Sequence, residues 1–559
     1  MSVALSEYLP LLTTAPRGIH KLRGLILDLA MRGMLVGQDT KDEPASELFA
    51  RIEQERMRLE AEGIYRRTKP MPDLTPEDMP YDLPPSWTWV RLGEITNFGQ
   101  TDKSGELTES TWVLDLEDIE KDTSVLFKKI RHSERQAKSD KNRFKSGDVL
   151  YGKLRPYLNK VIVADEPGVC TTEILPIRGF CGVMPRFLMY ALKRPDFLAY
   201  VNAKSYGMKM PRLGTEDGRL AVFPLAPEAE QRRIATKLDE LMELCDRLNA
   251  EQTDAEAAHA ELVKILLGSL IESTDIADLA KNWQRIAEAF EEIFATESSI
   301  VDLEQTILQL AIRGKLVPQD PNDEPASELL LRITQERAGT SGGIKKMRPL
   351  APIDEVDAPF HLPSGWAWAR FPELGEFGRG KSKHRPRNDP VLFNPGIYPL
   401  VQTGEVARAG TIVQEYHSKY SELGLHQSKM WPQGTLCITI AANIADSAIL
   451  GFDACFPDSV VGFVPSSWIS DSRYFLFFMK TARAELLRFA PSTAQKNINL
   501  EILEAVRIPL PPQAEMKRIV AKVDELMALC DRLKADILES RRHQERLATA
   551  LIESALKAA

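Results

Sequence analysis

The sequence predicts an α+β protein in which two mixed α/β globular regions are separated by long, antiparallel, coiled-coil-like helices, with an internal pseudo-twofold repeat. Three observations carry this reading: blocks that recur at half the chain length, apolar stripes of helical period, and short apolar runs set between turn residues. Residues 19–56 against 300–337 give 24 identities in 38 positions, including Asp-Glu-Pro-Ala-Ser-Glu-Leu at 42–48 and 323–329. Residues 223–251 against 508–536 give 18 in 29, with Asp-Glu-Leu-Met at 239–242 and 524–527. In 559 residues, offsets of 281 and 285 mean two tandem copies of one unit, from 1 to about 280 and from about 281 onward. Two copies are too few for a solenoid, so paired halves are expected.

Each copy repeats one order of elements, and prolines mark its joints. A helical arm comes first (1–80), with Ile19, Leu22, Ile26 and Leu29 on one face, as Ile300, Leu303, Ile307 and Leu310 are in the second copy. A Leu-Pro-x-x-Trp-x-Trp-x-Arg lead-in (83–91 and 362–370) opens the globular regions, 81–226 and 359–511. Within them the runs at 147–151, 160–164, 434–438 and 448–452 read as strands of a mixed sheet. Long helices follow, one in the central region 227–358 and one over 512–559. Their stripes, Leu238, Leu241, Cys245 and Leu248 against Val523, Leu526, Cys530, Leu533 and Ile537, step by three and four and are expected to bury each other. The second stripe is expected to resume at Leu547 and Leu551. A helix from Glu228 to about Glu272 would be roughly 65 Å long and would serve as a spacer.

Composition bounds the function. No apolar run approaches a membrane span, and the first residues lack the pattern of a secretory signal, so a cytoplasmic address is expected. Six scattered cysteines and eight histidines show no metal-ligand spacing; reduced thiols, no metal and no cofactor are expected. The net charge of -9 is unevenly spread: residues 90–226 carry +4 and 369–511 carry +2, which leaves -15 on the framework. Mildly basic globular regions on acidic helices suit duplex binding through phosphates. Because the framework repeats while most polar residues of the globular regions differ, the two regions read as recognisers of different targets. A catalytic pair would more naturally repeat its polar residues.

Three clusters are candidate DNA contacts. Lys153, Arg155, Tyr157, Asn159 and Lys160 put cations, an aromatic and an amide within eight residues; the alternative is a solvated loop. Ser205-x-x-x-Lys209-x-x-x-Leu213 recurs as Ser492-x-x-x-Lys496-x-x-x-Leu500, so Lys209 and Lys496 suit a shared backbone-positioning role. Their unshared neighbours, Tyr206, Met208 and Arg212 in one copy and Gln495 and Asn497 in the other, are candidates for sequence discrimination, and Lys204 is a further candidate DNA contact. The densest basic stretch, 379–387, offers Lys381, Lys383, Arg385 and Arg387, with a surface charge run as the alternative. Gly375-Glu-Phe-Gly-Arg-Gly-Lys-Ser satisfies the P-loop pattern, but the prolines after Ser382 argue against the helix a P-loop needs. Catalytic signatures of aminomethyltransferases, serine hydrolases and metal nucleases are not found.

With these motifs in place, the chain resembles the specificity subunits of type I restriction-modification systems, in the subgroup with long N-terminal and central conserved regions. The resemblance spans nearly the whole length. It rests on Leu-Ala-x-Arg-Gly-x-Leu-Val (29–36 and 310–317), the Asp-Glu-Pro-Ala-Ser-Glu-Leu blocks, the Leu-Pro-x-x-Trp lead-ins, and Pro-Leu-x-Pro-x-Ala-Glu before each long helix. Stretch 153–160 with Thr-Thr-Glu-Ile-Leu-Pro after it, and Gln-Lys-Asn-Ile-Asn at 495–499, are similar to family target-recognition domains. Met516-Lys-Arg-Ile departs from the usual Glu-Gln-x-x-Ile, which is present at 230–234. The resemblance implies a non-catalytic subunit that binds double-stranded DNA at a bipartite asymmetric site. It implies two copies of a modification subunit, which carry S-adenosylmethionine and methylate adenine, and ATP-hydrolysing restriction subunits joined through them. A self-contained nucleotide- or S-adenosylmethionine-dependent enzyme and a non-catalytic coiled-coil assembly protein are the alternatives.

Overall fold

The computed structural model describes residue 13 and residues 15–67, 70–103, 105–136, 141–339, 358–441, 444–469, 471–488 and 498–558. The chain divides into two units, Met1–Ala255 with Ser540–Ala559, and Glu256–Glu539. Both long helices, Glu228–Glu272 and Gln513–Ala558, therefore contribute to both units.

The first unit shows why its repeated motifs repeat. Arm helix Gly18–Met31 ends where Met34 N–H reaches back to the Leu29 carbonyl (2.9 Å) and Gly33 turns left-handed at φ 72°. A Cβ on Gly33 would stand 2.5 Å from Pro84 Cγ, so the glycine both turns the chain and beds the proline of the lead-in. Helix Ala45–Ala61 starts behind Pro44, with Ala45 N–H on the Ser86 carbonyl (2.9 Å). Asp42 pairs with Arg233 of the long helix (2.6 Å), Glu43 pairs with Arg51 (2.7 Å), and Leu48 is buried. Trp87 donates its indole N–H to the buried Glu230 (2.9 Å). Trp89 meets the ring of Tyr81 edge-on, and the Arg32 guanidinium lies over that ring, 4.3 Å from its centroid. Asp-Glu-Pro-Ala-Ser-Glu-Leu is thus an internal lock of arm, lead-in and long helix.

The second unit builds the same lock. Gly314 (φ 69°) beds Pro363, Ala326 N–H reaches the Gly365 carbonyl (2.8 Å), Asp323 pairs with Arg518 (2.6 Å), and Trp366 donates to the buried Glu515 (3.0 Å). Arg313 lies over Phe360, which meets Trp368 edge-on. The ion pair between arm and long helix is not kept: Arg23 bonds Asp246 in the first unit, whereas Glu304, at the equivalent arm position, bonds Lys534 (2.7 Å) in the second, three residues past Asp531, the counterpart of Asp246.

The strands of the first unit are β1 (Thr88–Arg91), β2 (Trp112–Leu114), β3 (Asn142–Phe144), β4 (Val149–Gly152), β5 (Val161–Val163), β6 (Gly168–Cys170), β7 (Ile174–Ile177) and β8 (Val222–Leu225). They form sheets ordered β2-β6-β3 and β5-β4-β7, and β2 is parallel to β6 while the other pairs are antiparallel. Strand β1 pairs antiparallel with β8, Thr88 opposite Leu225, so the globular part begins and ends on one ribbon. The second unit has β9 (Ala367–Ala369), β10 (Gly375–Arg379), β11 (Tyr398–Leu400), β12 (Ile412–Val413), β13 (Ser418–Tyr420), β14 (Met430–Trp431), β15 (Leu436–Thr439), β16 (Ser447–Leu450), β17 (Ala454–Cys455), β18 (Val460–Pro465) and β19 (Ile508–Leu510). Its sheets are ordered β10-β18-β15-β16-β12 and β13-β11-β17-β14, both mixed, and β9 pairs with β19 as β1 does with β8. All four expected strands are present, as β4, β5, β15 and β16.

The stripes on the long helices are buried, but not against each other as expected: each lies in the core of its own unit. Ile234, Leu238, Leu241 and Cys245 belong to the first unit's core, and Ile519, Val523 and Cys530 to the second's. The first core also takes in Ala548, Ile552 and Ala555 from the end of the C-terminal helix, and the second takes in Val263, Leu267 and Leu270 from the end of the central one. A second expectation is corrected: Leu547 is exposed. From Ile537 a step of eleven residues, three helical turns, lands on Ala548, and Leu547 falls about 100° away from that face.

Candidate nucleic-acid interface

The residues singled out in the first globular region converge on one patch. Leaving β4, Lys153 donates its backbone N–H to the Glu173 carbonyl (3.0 Å) and accepts Leu213 N–H (3.0 Å). Arg155 N–H reaches the Pro211 carbonyl (2.7 Å). Tyr206 and Arg212 exchange backbone hydrogen bonds of 3.1 and 2.9 Å and close a small hairpin. Segments 153–160, 171–173 and 204–213, distant in sequence, are tied together by backbone groups.

The side chains on this patch divide by what they touch. Arg212 forks onto the Glu173 carboxylate (3.1 to 3.2 Å), and that hydrogen-bonded carboxylate raises its pKa. Lys160 donates to the Leu116 carbonyl (2.7 Å), and burial lowers its pKa. Asn159, left-handed at φ 48°, reaches the Lys193 carbonyl with its amide (3.4 Å). These three shape the loops. Lys153, Arg155, Lys204 and Lys209 have no ion-pair partner among the described residues, and the Nε of Arg155 is buried without a hydrogen-bond acceptor. Tyr157 and Tyr206 are exposed. Free cations beside exposed aromatic rings are what a phosphate-lined surface with accessible bases requires.

The basic stretch of the second unit is a folded loop. Arg379 and Arg387 both bond Asp458, through its carbonyl (2.8 Å) and its carboxylate (2.6 Å). Gln427 Oε1 accepts the backbone N–H groups of Lys383 (2.7 Å) and His384 (3.1 Å). His384 bonds Asp389 (2.8 Å), and that hydrogen bond lowers the Asp389 pKa. Arg385 turns onto the carbonyls of Ser382 and His384. Lys381 and Lys383 project with no ion-pair partner among the described residues. Gln495, Lys496 and Asn497 lie outside the described residues.

The P-loop match has a structural explanation. Its first five residues are strand β10, paired antiparallel with β18, and no helix follows Ser382 directly. A Cβ on Gly375 would stand 2.1 Å from the Val464 carbonyl oxygen, and one on Gly380 would stand 2.3 Å from those of Phe456 and Pro457. Both glycines are there because backbone passes close by, not to cradle phosphate.

Sequence reasoning missed three residues that hold these loops: Glu173, Asp458 and Gln427. Their partners lie 39, 71 and 44 residues away, and although Glu173 falls within the Thr-Thr-Glu-Ile-Leu-Pro stretch, no local pattern announces these pairings.

The chain is similar along its length to two curated proteins of Escherichia coli. It is 34% identical to the type I restriction enzyme EcoAI specificity subunit, over 96% of this chain and 94% of that protein. The chain belongs to the specificity subunits of type I restriction enzymes. The EcoEI specificity subunit matches at 32% identity with the same coverage. A family model described as the type I restriction modification DNA specificity domain matches residues 363–540. Among solved structures, a chain from work on complex assembly and conformational transition of the type I R-M system superposes with a TM-score of 0.52 at 21% identity, covering 85% of this chain and 99% of that one; the likeness shows the fold. As a specificity subunit, this chain provides DNA target recognition within a type I complex and is not its catalytic subunit. Among the described residues no helix is long and apolar enough to cross a membrane.

Proposed function

We propose that this specificity subunit reads a bipartite, asymmetric duplex site, with residues 81–226 and 359–511 as its two target-recognition domains. The observation that supports this most is the contrast between the two units. The Asp–Arg and Trp–Glu contacts that lock arm, lead-in and long helix are repeated in both units, whereas the cation-bearing surfaces are unlike: a patch with Lys153, Arg155, Lys204 and Lys209 in one, and a folded loop with Lys381 and Lys383 in the other. Like frames offer like docking surfaces, so two copies of the modification subunit bind the framework, and restriction subunits join through them. Unlike readers make the site asymmetric. Lys209 and Lys496 position the backbone of each half, and the complex works on cytoplasmic duplex.

Exchanging residues 359–511 for the corresponding region of another specificity subunit tests this reading. Methylation mapped in cells that express the hybrid with its modification partner is expected to change in one half-site and keep the other half and the spacing. A motif altered in both halves would overturn it.

A further inference from the structure

We propose that Met208 is an apolar wedge that enters the bound duplex at one base step of the half-site read by the first unit. The proposal rests on the reading of that unit's patch as a duplex surface. Met208 stands fully exposed at the tip of the hairpin closed by Tyr206 and Arg212, with Tyr206 and Met210 also exposed beside it. Large apolar side chains grouped on one protrusion in water mark a contact surface.

The protrusion is braced. Its strands are joined by two backbone hydrogen bonds, its base by Arg155 N–H to Pro211 and Leu213 N–H to Lys153, and its side by the fork of Arg212 on Glu173. Gly207 makes the turn at φ 101°, and a Cβ there would press on the Met210 carbonyl at 3.1 Å. With its guanidinium committed to Glu173, Arg212 is a positioning residue, and the tip is left to Tyr206, Met208 and Met210.

Charge selects the occupant. Lys204 and Lys209 flank the tip, both exposed and with no ion-pair partner among the described residues. Phosphates either side of a groove with stacked bases between them match cations around an apolar point; an apolar pocket on a protein would not call for the cations. An unbranched, polarisable methionine can part a base step as other apolar wedges do.

The test uses the complex with its modification partner and duplexes carrying its mapped methylation motif. 2-Aminopurine is placed singly at each position of the first half-site other than the methylated adenine. One position is expected to brighten on binding. Met208→Leu should keep that signal, whereas Met208→Ser should lose most of it and bind roughly tenfold more weakly with an unchanged salt dependence. Should Met208→Ser keep both signal and affinity while Lys209→Ala weakens binding, the wedge is overturned and the duplex surface stands. Should neither Met208→Ser nor Lys204→Ala with Lys209→Ala affect binding, both fail. Loss of the modification subunit from Met208→Ser on size-exclusion chromatography, with no change of fluorescence in the complex that remains, would make the tip a protein contact and also overturn the wedge.

Discussion

Asp28→Asn should stabilise the first unit, and the second unit already carries the answer at the same place: Gln309. Asp28 lies in the first arm helix, where burial and the neighbouring charge of Asp196 raise its pKa from 3.8 to about 6, although Arg32 and Arg194 pull the other way. At ~1.4 kcal/mol for each pH unit between unfolded and folded values, holding this carboxylate ionised at pH 7.5 costs up to about 3 kcal/mol. The folded value lies above the unfolded one, so the folded state takes up its proton first as the pH falls. The cost is full above pH 6 and is relieved between about 6 and 4. Calorimetry of the native chain and the variant should show the variant melting up to roughly 6 to 12 °C higher at pH 7.5 for a unit of this size, with the free-energy gap about halved at pH 5. A variant that melts lower at pH 7.5, or a gap that does not change with pH, would refute the reasoning.

Other perturbations test the lock and the reading surface. Glu515→Ala leaves the buried indole N–H of Trp366 without an acceptor and should cost about 2 to 4 kcal/mol in denaturant titration, while Glu515→Gln should recover most of it. Lys534→Glu sets two carboxylates against each other in place of the pair with Glu304; a loss of about 1 kcal/mol, restored by adding Glu304→Lys, is the expected outcome of the double-mutant cycle. Lys209→Ala should weaken binding to all duplexes and reduce the slope of log affinity against log salt by about 0.9 without altering the half-site. Arg155→Ala should instead relax one half-site, which competition binding with single-base variants would reveal.

The framework was legible because its constraints are local or repeated. Gly33 and Gly314, Pro84 and Pro363, and the two Asp-Glu-Pro-Ala-Ser-Glu-Leu blocks each answer to one steric or hydrogen-bonding demand met twice, and a demand met twice shows as identity. The failure at Leu547 is of the opposite kind. After Leu538 the helix is polar for eight residues, about two turns, and nothing in the apolar pattern tells whether the stripe returns on residue 547 or 548. The proposed reading surface was legible only in part. Composition located the cations, but which of them are free depends on partners far along the chain: Arg212 and Lys160 are adjacent in space to free cations and are themselves consumed by Glu173 and the Leu116 carbonyl. The P-loop pattern shows the converse, a motif complete in letters whose glycines serve the packing of β10.

The central claim, two unlike readers on one repeated frame, is tested most directly by sequencing the methylated bases in cells that express this chain with its modification partner. The account predicts a single two-part motif whose halves differ and are separated by a fixed run of unspecified bases. A continuous motif, or one whose halves are identical by symmetry, would contradict it.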